Sequence, residues 1–381
     1  YNSISLGLSL GGATAVMSRH YLLGSVLFSL AINHKHMALY FAPAFFAHLL
    51  GRCRQSPRPA LMFLSLAATV LLSFAACWWP FLHSTDSILQ VLSRLFPLGR
   101  GLYEDHVANF WCATSPLIKW KRLFSTPLLA RMALAATVTA ALPSMLHQVL
   151  RPSAHGLVLA MLNSSLAFFF FAFQVHEKSI LLPLLPTCML ALHHPHLHRW
   201  LSTVALFSMF PLLLRDRLEL AYTALLALFL LLSPPPSSSS PSSSSSFSSA
   251  STSSVSSAAA APPTSMTPST HHQHFDLRQR LLTFLHAASA SIQRYVVPLL
   301  LLAAAALHYA EMALPAPARF PYLYQALIVT LAFVCLMPVI VISNLWQWGV
   351  PEDGFRLEEG ERDAGRSKGS KGRKGGKKHE E

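Results

Sequence analysis

Acidic residues are scarce in this chain and unevenly spread. Of 381 residues only 16 are Asp or Glu, and ten of those lie at or beyond Asp276. The first 275 residues hold six: Asp86, Glu104, Asp105, Glu177, Asp216 and Glu219. Carboxylate chemistry in that part must use one of these six or a group from elsewhere. Charge of either sign is thin, at 12% of residues, about half the share of an ordinary soluble domain. That argues against an ordinary soluble globular enzyme. Paired cysteines are lacking too. Cys53, Cys77, Cys112, Cys188 and Cys335 are scattered without a CxxC, which argues against a structural zinc site and a disulfide framework. The chain opens at Tyr1 without the basic stretch and short apolar core of a signal peptide. The expectation is a fragment that starts inside a larger protein.

What is present is apolar. Hydrophobic residues make up 52% of the chain, and the mean hydropathy is +0.42. The stretches 59–85, 132–150, 152–176, 179–198 and 320–351 carry no Asp, Glu, Lys or Arg. Crossing a bilayer takes about 20 mostly apolar residues. Shorter candidates are 200–214, 220–236 and 295–310. Three more short spans precede Arg52, broken near Arg19 and near His34-Lys35-His36. The total is about eleven membrane segments. Lipid offers no water to open backbone groups, and continuous Leu/Ala/Phe runs lack a strand's alternation. The expected fold class is an all-α, polytopic helical membrane protein.

The net charge of +13 suggests a polyanionic partner, but nine basic residues sit in the tail after Phe355, and no nucleic acid is expected. Placing the loop Arg52, Arg54, Arg58 in the cytosol puts 18 Lys and Arg there, including the tail, and 10 on the other side. Residues 1–233 read as a membrane core with a long non-cytosolic loop over 80–127. In the stretch 234–257, sixteen residues are Ser, and 234–276 reads as a disordered linker. Residues 277–350 return to membrane helices. Residues 351–381 read as a charged, disordered cytosolic tail, whose Lys cluster suits anionic headgroups. Its last residues resemble a dilysine retrieval signal, displaced by one position.

The loop 80–127 opens with an amphipathic pattern. Ile88, Leu89, Leu92, Leu95 and Phe96 recur at helical spacing, Thr85 or Asp86 can cap the helix, and Pro97 ends it. Such a helix lies along a membrane surface. Arg94, Arg100, Glu104 and Asp105 follow within twelve residues, and Trp111 comes soon after. Arg clamps phosphate with a planar fork of donors. Carboxylates accept sugar hydroxyls, and an aromatic ring offers a flat apolar face. The competing reading is a salt-bridged surface loop with Arg100 paired to Glu104 or Asp105. A second cluster, Gln174-Val175-His176-Glu177-Lys178, ends an apolar run on the same side, where polar groups are functional candidates. His176 can donate to a phosphate oxygen or shuttle a proton, Lys178 can neutralise phosphate, and Glu177 can orient either or hold a sugar hydroxyl. The competing reading is helix-end capping with Lys178 reaching for the interface. No metal is expected there, because the one His and one Glu are adjacent. The cytosolic run His193, His194, His196, His198 reads as a polar loop sooner than as a metal site. Asn163-Ser164-Ser165 matches a glycosylation acceptor but lies inside an apolar run, so no modification is expected.

The blocks Arg94-Leu95-Phe96-Pro97, Arg100-Gly101-Leu102, Glu104-Asp105, Val107 to Cys112 and Gln174 to Leu181 resemble one family. So do Tyr1-Asn2-Ser3 and Lys35 to Tyr40 with Pro43. It is the dolichyl-phosphate-glucose-dependent alpha-1,3-glucosyltransferases of the endoplasmic reticulum. Glu104-Asp105 and the Val107–Cys112 run resemble the branch adding the first glucose; the branch adding the second is the alternative. The resemblance covers about 1–233, more loosely 295–349. It implies a type-C glycosyltransferase fold in the endoplasmic reticulum membrane. The implied donor is dolichyl-phosphate glucose, and the acceptor is the dolichyl-pyrophosphate oligosaccharide with nine mannoses. Transfer would be lumenal and inverting, without a required metal or cofactor. It also implies a catalytic Asp in the first lumenal loop, which would fall before Tyr1, so the catalytic base is not assigned to a residue of this chain. Arg94, Arg100, His176 and Lys178 are then the phosphate-stabilising candidates. The rivals from other classes are a transporter or scramblase of lipid-linked sugars and a non-catalytic membrane subunit. No internal repeat supports the transporter.

Overall fold

The computed structural model describes residues 2–95, 106–233 and 298–350. Arg100, Glu104, Asp105, the Ser-rich stretch and the charged tail lie outside the described residues. So do the expected domain boundaries at 276/277 and 350/351.

Among the described residues the ordered elements are helical. They are α1 (Asn2–Met17), α2 (Tyr21–His34), a 3-10 turn (His36–Phe41), α3 (Ala42–Gln55), α4 (Pro59–Trp78), α5 (Thr85–Leu95), α6 (Phe110–Thr114), α7 (Trp120–Leu123), α8 (Thr126–Leu150), α9 (Ala154–Phe171), α10 (Leu181–Met189), α11 (Pro195–Ser208), α12 (Phe210–Arg215), α13 (Glu219–Leu232), α14 (Pro298–Ala313) and α15 (Leu323–Gly349). The chain divides into two units, one of residues 1–211 with 316–381 and the other of 212–315. In the smaller unit, Tyr222 of α13 meets His308 of α14 edge-on, ring centres 5.5 Å apart.

Among the described residues four helices are long and apolar enough to cross a membrane: Pro59–Phe81, in which α4 runs on into a 3-10 turn, then Thr126–Leu150, Ala154–Phe171 and Leu323–Gly349. Shorter apolar helices are α2, α13 and α14. The four are fewer than eleven for a local reason. The apolar stretch 179–214 is divided into α10, α11 and α12, of 9, 14 and 6 residues. Pro195 at the start of α11 and Pro211 within α12 punctuate it, since proline lacks an N–H and fixes φ. Nine residues of α10 rise only about 14 Å.

In the larger unit α9 is central. Fourteen of its 18 residues are buried, and it packs on α3, α8, α10 and α15. By contrast α4 presents Leu61, Phe63, Leu64, Leu71 and Leu72 outward. Water-soluble surfaces rarely carry so large an apolar patch; a lipid-facing helix does. The α1–α2 hairpin closes on small residues. A Cβ on Gly24 would meet Val16 Cγ2 at 2.5 Å and the Gly12 carbonyl at 3.0 Å, so only glycine permits this approach.

Helices α8, α9 and α15 are joined by a buried polar network. Gln347 Oε1 accepts from Asn163 Nδ2 at 2.8 Å and from Ser144 Oγ at 2.5 Å. Gln347 Nε2 donates to the Ser144 carbonyl at 2.9 Å, and Ser343 Oγ donates to Asn163 Oδ1. Asn163, the apparent glycosylation acceptor, is thus fully enclosed (0% exposed). Asn163→Ala takes one donor from Gln347 Oε1, which keeps Ser144 Oγ, and one acceptor from Ser343 Oγ, which keeps the Val339 carbonyl; each lost bond costs about 0.5–1.5 kcal/mol. Single interhelical bonds in membrane proteins average only about 0.6 kcal/mol. Because several partners lose a bond together, the expected loss is about 2 kcal/mol. A lowered unfolding midpoint in detergent checks it.

The amphipathic helix forms where the pattern predicts, as α5, but its cap is different. Ser84 Oγ accepts from the Asp86 N–H at 3.2 Å, so Ser84 takes the capping role expected of Thr85 or Asp86. The helix is described as far as Leu95, and Pro97 lies outside the described residues.

Candidate functional site

The polar motifs meet at one end of the larger unit. At that end α9 finishes at Phe171, and Gln174–Lys178 follows directly, leading into a 3-10 turn at Glu177–Ile180. His176 and Lys178 are exposed there, while Glu177 and Ser179 are buried. This inward turn of Glu177 suits a bracing role better than a sugar contact. The 3-10 turn His36–Phe41 is fastened alongside. Ser164 Oγ donates to the Tyr40 carbonyl at 2.6 Å, the Tyr40 ring stacks on Phe168 with centres 4.9 Å apart, and the Tyr40 hydroxyl shares a hydrogen bond with Ser179. His36 comes close enough to His176 to feel its charge. Desolvation by the surrounding chain, then the charges of Lys35 and His176, hold the His36 imidazole below its ordinary range. It is therefore neutral at pH 7 and able to donate from one ring nitrogen. Lys35 Nζ donates to Asn2 Oδ1, and Asn33 Oδ1 accepts from Trp78 Nε1 at 2.7 Å. The ends of α1, α2, α4 and α9 are drawn together by these contacts. His36 and Lys35 were quoted in the sequence only as part of a resemblance. The available signal was four polar residues, Asn33 to His36, closing an apolar run.

An apolar cavity of about 650 Å³ opens at this end. Ile32, Phe74 and Phe81 line it from α2 and the α4 region, Val91, Leu92 and Leu95 from α5, with His36 and Asn33 as its polar members. The amphipathic face of α5 thus closes one wall of a groove. Arg94 is exposed on the same turn, at a helix C-terminus where a cation is favoured. The groove is apolar along its length, with His36 and Asn33 as its polar lining residues.

Trp111 is placed elsewhere. Asn109 Oδ1 caps α6 by accepting from the Cys112 N–H at 2.8 Å, and this turns Trp111 inward. Its ring is 2% exposed, its Nε1 donates to the Phe171 carbonyl at 2.9 Å, and it packs edge-on against Trp120 at 5.3 Å. With so little surface, Trp111 anchors the loop to the end of α9 and offers no face to a sugar in this conformation. Arg100, Glu104 and Asp105 cannot be placed, being outside the described residues; their flanking residues Leu95 and His106 each line a cavity.

At the opposite end lie Arg52, Arg54, Arg151 and the histidine run. Among the described residues no three His, Cys, Asp or Glu are grouped to hold a metal ion. His194 Nε2 instead lies 3.3 Å from His155 Nε2, and its ring stacks on Trp346 at 4.4 Å.

A bundle with outward-facing apolar helices and an apolar groove at one end is the architecture of a helical membrane protein. The chain belongs to the ALG6, ALG8 glycosyltransferase family, whose pattern matches residues 1–342. It is 41% identical over 348 residues to a probable dolichyl pyrophosphate Man9GlcNAc2 alpha-1,3-glucosyltransferase of Arabidopsis thaliana, covering 91% of this chain and 59% of that protein. It is 44% identical over 233 residues to the Gallus gallus dolichyl pyrophosphate Man9GlcNAc2 alpha-1,3-glucosyltransferase, covering 60% and 46%. The Saccharomyces cerevisiae protein of that name is 40% identical over 230 residues, covering 58% and 42%. The chain spans about half the length of the curated relatives it matches.

Proposed function

We propose that the protein transfers glucose from dolichyl-phosphate glucose to the dolichyl-pyrophosphate Man9GlcNAc2 glycan, in alpha-1,3 linkage and with inversion. Its setting is the endoplasmic reticulum membrane, with the motif loops lumenal and a type-C fold of about eleven segments, several shorter than a full span. The observation that supports this reading is an apolar groove lined by His36 at the end of the bundle where Gln174–Lys178 leaves α9. The relatives' printed names favour addition of the first glucose over the second.

The chemistry divides into three tasks. A base takes the proton of an acceptor hydroxyl as that oxygen attacks the anomeric carbon. The bond from that carbon to the phosphate oxygen breaks, and the pair stays on the phosphate. That phosphate goes from one negative charge to two, so it needs cations and N–H donors rather than an acid. His176 and Lys178 are assigned this stabilisation, with Arg94 and Arg100 as further candidates. Glu177 braces them from the interior.

The test is glucosyl transfer by the full-length protein in membranes without the endogenous activity, using labelled dolichyl-phosphate glucose. A glucosylated lipid-linked oligosaccharide is expected. Movement of the lipid across the membrane without a new glucosidic bond would identify a transporter or scramblase and overturn the reading.

A further inference from the structure

A second cavity, of about 790 Å³, opens between the loop after residue 106 and the entry into α15. His106, Ser115 and Lys119 line it from one side, and Arg319, Phe320 and Tyr322 from the other. Lys119 and Arg319 are 200 positions apart in the chain, yet they share one concavity, and no Asp or Glu is among its described lining residues. Both cations are held in place. Lys119 Nζ donates to the Ser115 carbonyl at 3.2 Å, which leaves two of its three N–H bonds for a ligand. The Arg319 guanidinium carbon lies 5.4 Å from the centre of the Phe320 ring, a cation–π contact. His106 and Tyr322 face each other with ring centres 5.6 Å apart. Trp111 and Thr330 tie the flanking segments together at the same end as His176: Trp111 bonds Phe171 at the end of α9, and Thr330 Oγ1 of α15 donates to the Ala113 carbonyl at 3.5 Å.

We infer that this cavity binds the diphosphate of the lipid-linked acceptor, an inference that rests on the glucosyltransfer reading. A polyprenyl diphosphate ester carries two negative charges, and a glycosyl phosphodiester carries one. Two permanent cations converge in this cavity with no acid among its described lining residues, while His176 and Lys178 at the end of α9 are assigned to the donor phosphate. Charge complementarity suits this cavity to the dianionic diphosphate and leaves the monophosphate to His176 and Lys178. Separate places fit an acceptor whose diphosphate carries a glycan of eleven sugars, the number in the relatives' printed names.

The experiment measures acceptor and donor dependence separately in the full-length protein. Lys119→Gln with Arg319→Gln is expected to raise the acceptor KM about tenfold or more, as loss of two charge-assisted contacts does. Donor KM and kcat at saturation stay within about twofold, the pattern of lost ground-state binding. Lys119→Arg keeps the charge and most of the affinity. Arg122→Gln removes a basic residue of the same loop outside the cavity and leaves acceptor KM unchanged. Farnesyl diphosphate serves as a probe whose binding is followed without turnover; the double variant is expected to lose it. Equal acceptor KM in wild type and double variant overturns the inference. So does a variant that loses only its response to phosphatidylserine in phosphatidylcholine vesicles, because the cations then serve bilayer headgroups. If the wild type transfers no glucose but binds farnesyl diphosphate through Lys119 and Arg319, the activity reading fails while the anion site stands.

Discussion

Lys178→Ala is expected to lower kcat by about 10²–10³-fold, the cost of removing one preorganised group from developing charge. The argument turns on when the charge forms. The donor phosphodiester holds one negative charge in the ground state and approaches two as the glycosidic bond breaks. A cation at its side therefore stabilises the transition state more than the bound donor, and the loss falls on kcat more than on KM. Lys178 is exposed in the 3-10 turn after α9, beside the buried Glu177. Lys178→Arg restores the charge at a changed geometry and recovers part of the rate. His176→Ala falls in the same direction, with a smaller effect if His36 takes over a donated hydrogen bond. Steady-state rates at saturating donor and acceptor check these values. Unchanged lipid-linked oligosaccharide profiles with either variant would make the protein a non-catalytic subunit.

Trp111→Ala is expected to destabilise the protein by about 3–5 kcal/mol, the range for emptying a buried aromatic site. Trp111 packs with Trp120, Leu129 and Ala133, and Phe110 and Phe124 lie against them. Trp111→Phe keeps most of the volume but strands the Phe171 carbonyl, at a cost of about 1–3 kcal/mol. Phe171 is the last residue of α9, three before Gln174. Loosening it frees the segment bearing His176 and Lys178, so activity falls in both variants through position alone. Thermal unfolding in detergent measures the first effect. A stable Trp111→Ala protein with only a raised acceptor KM would instead make the ring a sugar platform that opens during turnover.

Several features were legible because they are properties of a local stretch. The uncharged runs became α4, α8, α9 and α15, since lipid-compatible helices need only length and apolarity. The alternation at helical spacing became α5. The polar clusters at 33–36 and 174–178 stood out against apolar neighbours. Other features depend on partners far along the chain. Asn163 read as an oddity inside a run until Gln347, 184 positions away, proved to be its partner. Trp111 read as a sugar platform because sequence cannot tell which face of a short helix turns inward; the Asn109 cap and the Phe171 carbonyl decide that. Lys119 and Arg319 carried no signal separately.

By itself the sequence determined the class: a chain with six acids in its first 275 residues and long uncharged runs must be helical and lipid-bound, because backbone polar groups in lipid have no other satisfaction. It also marked which polar residues were out of place. Only the tertiary structure decided which of them face a cavity and which brace it, because a side chain's exposure depends on the helices packed around it. Glu177 and Trp111 went inward, His36 joined His176, and two cations 200 residues apart came to share one concavity.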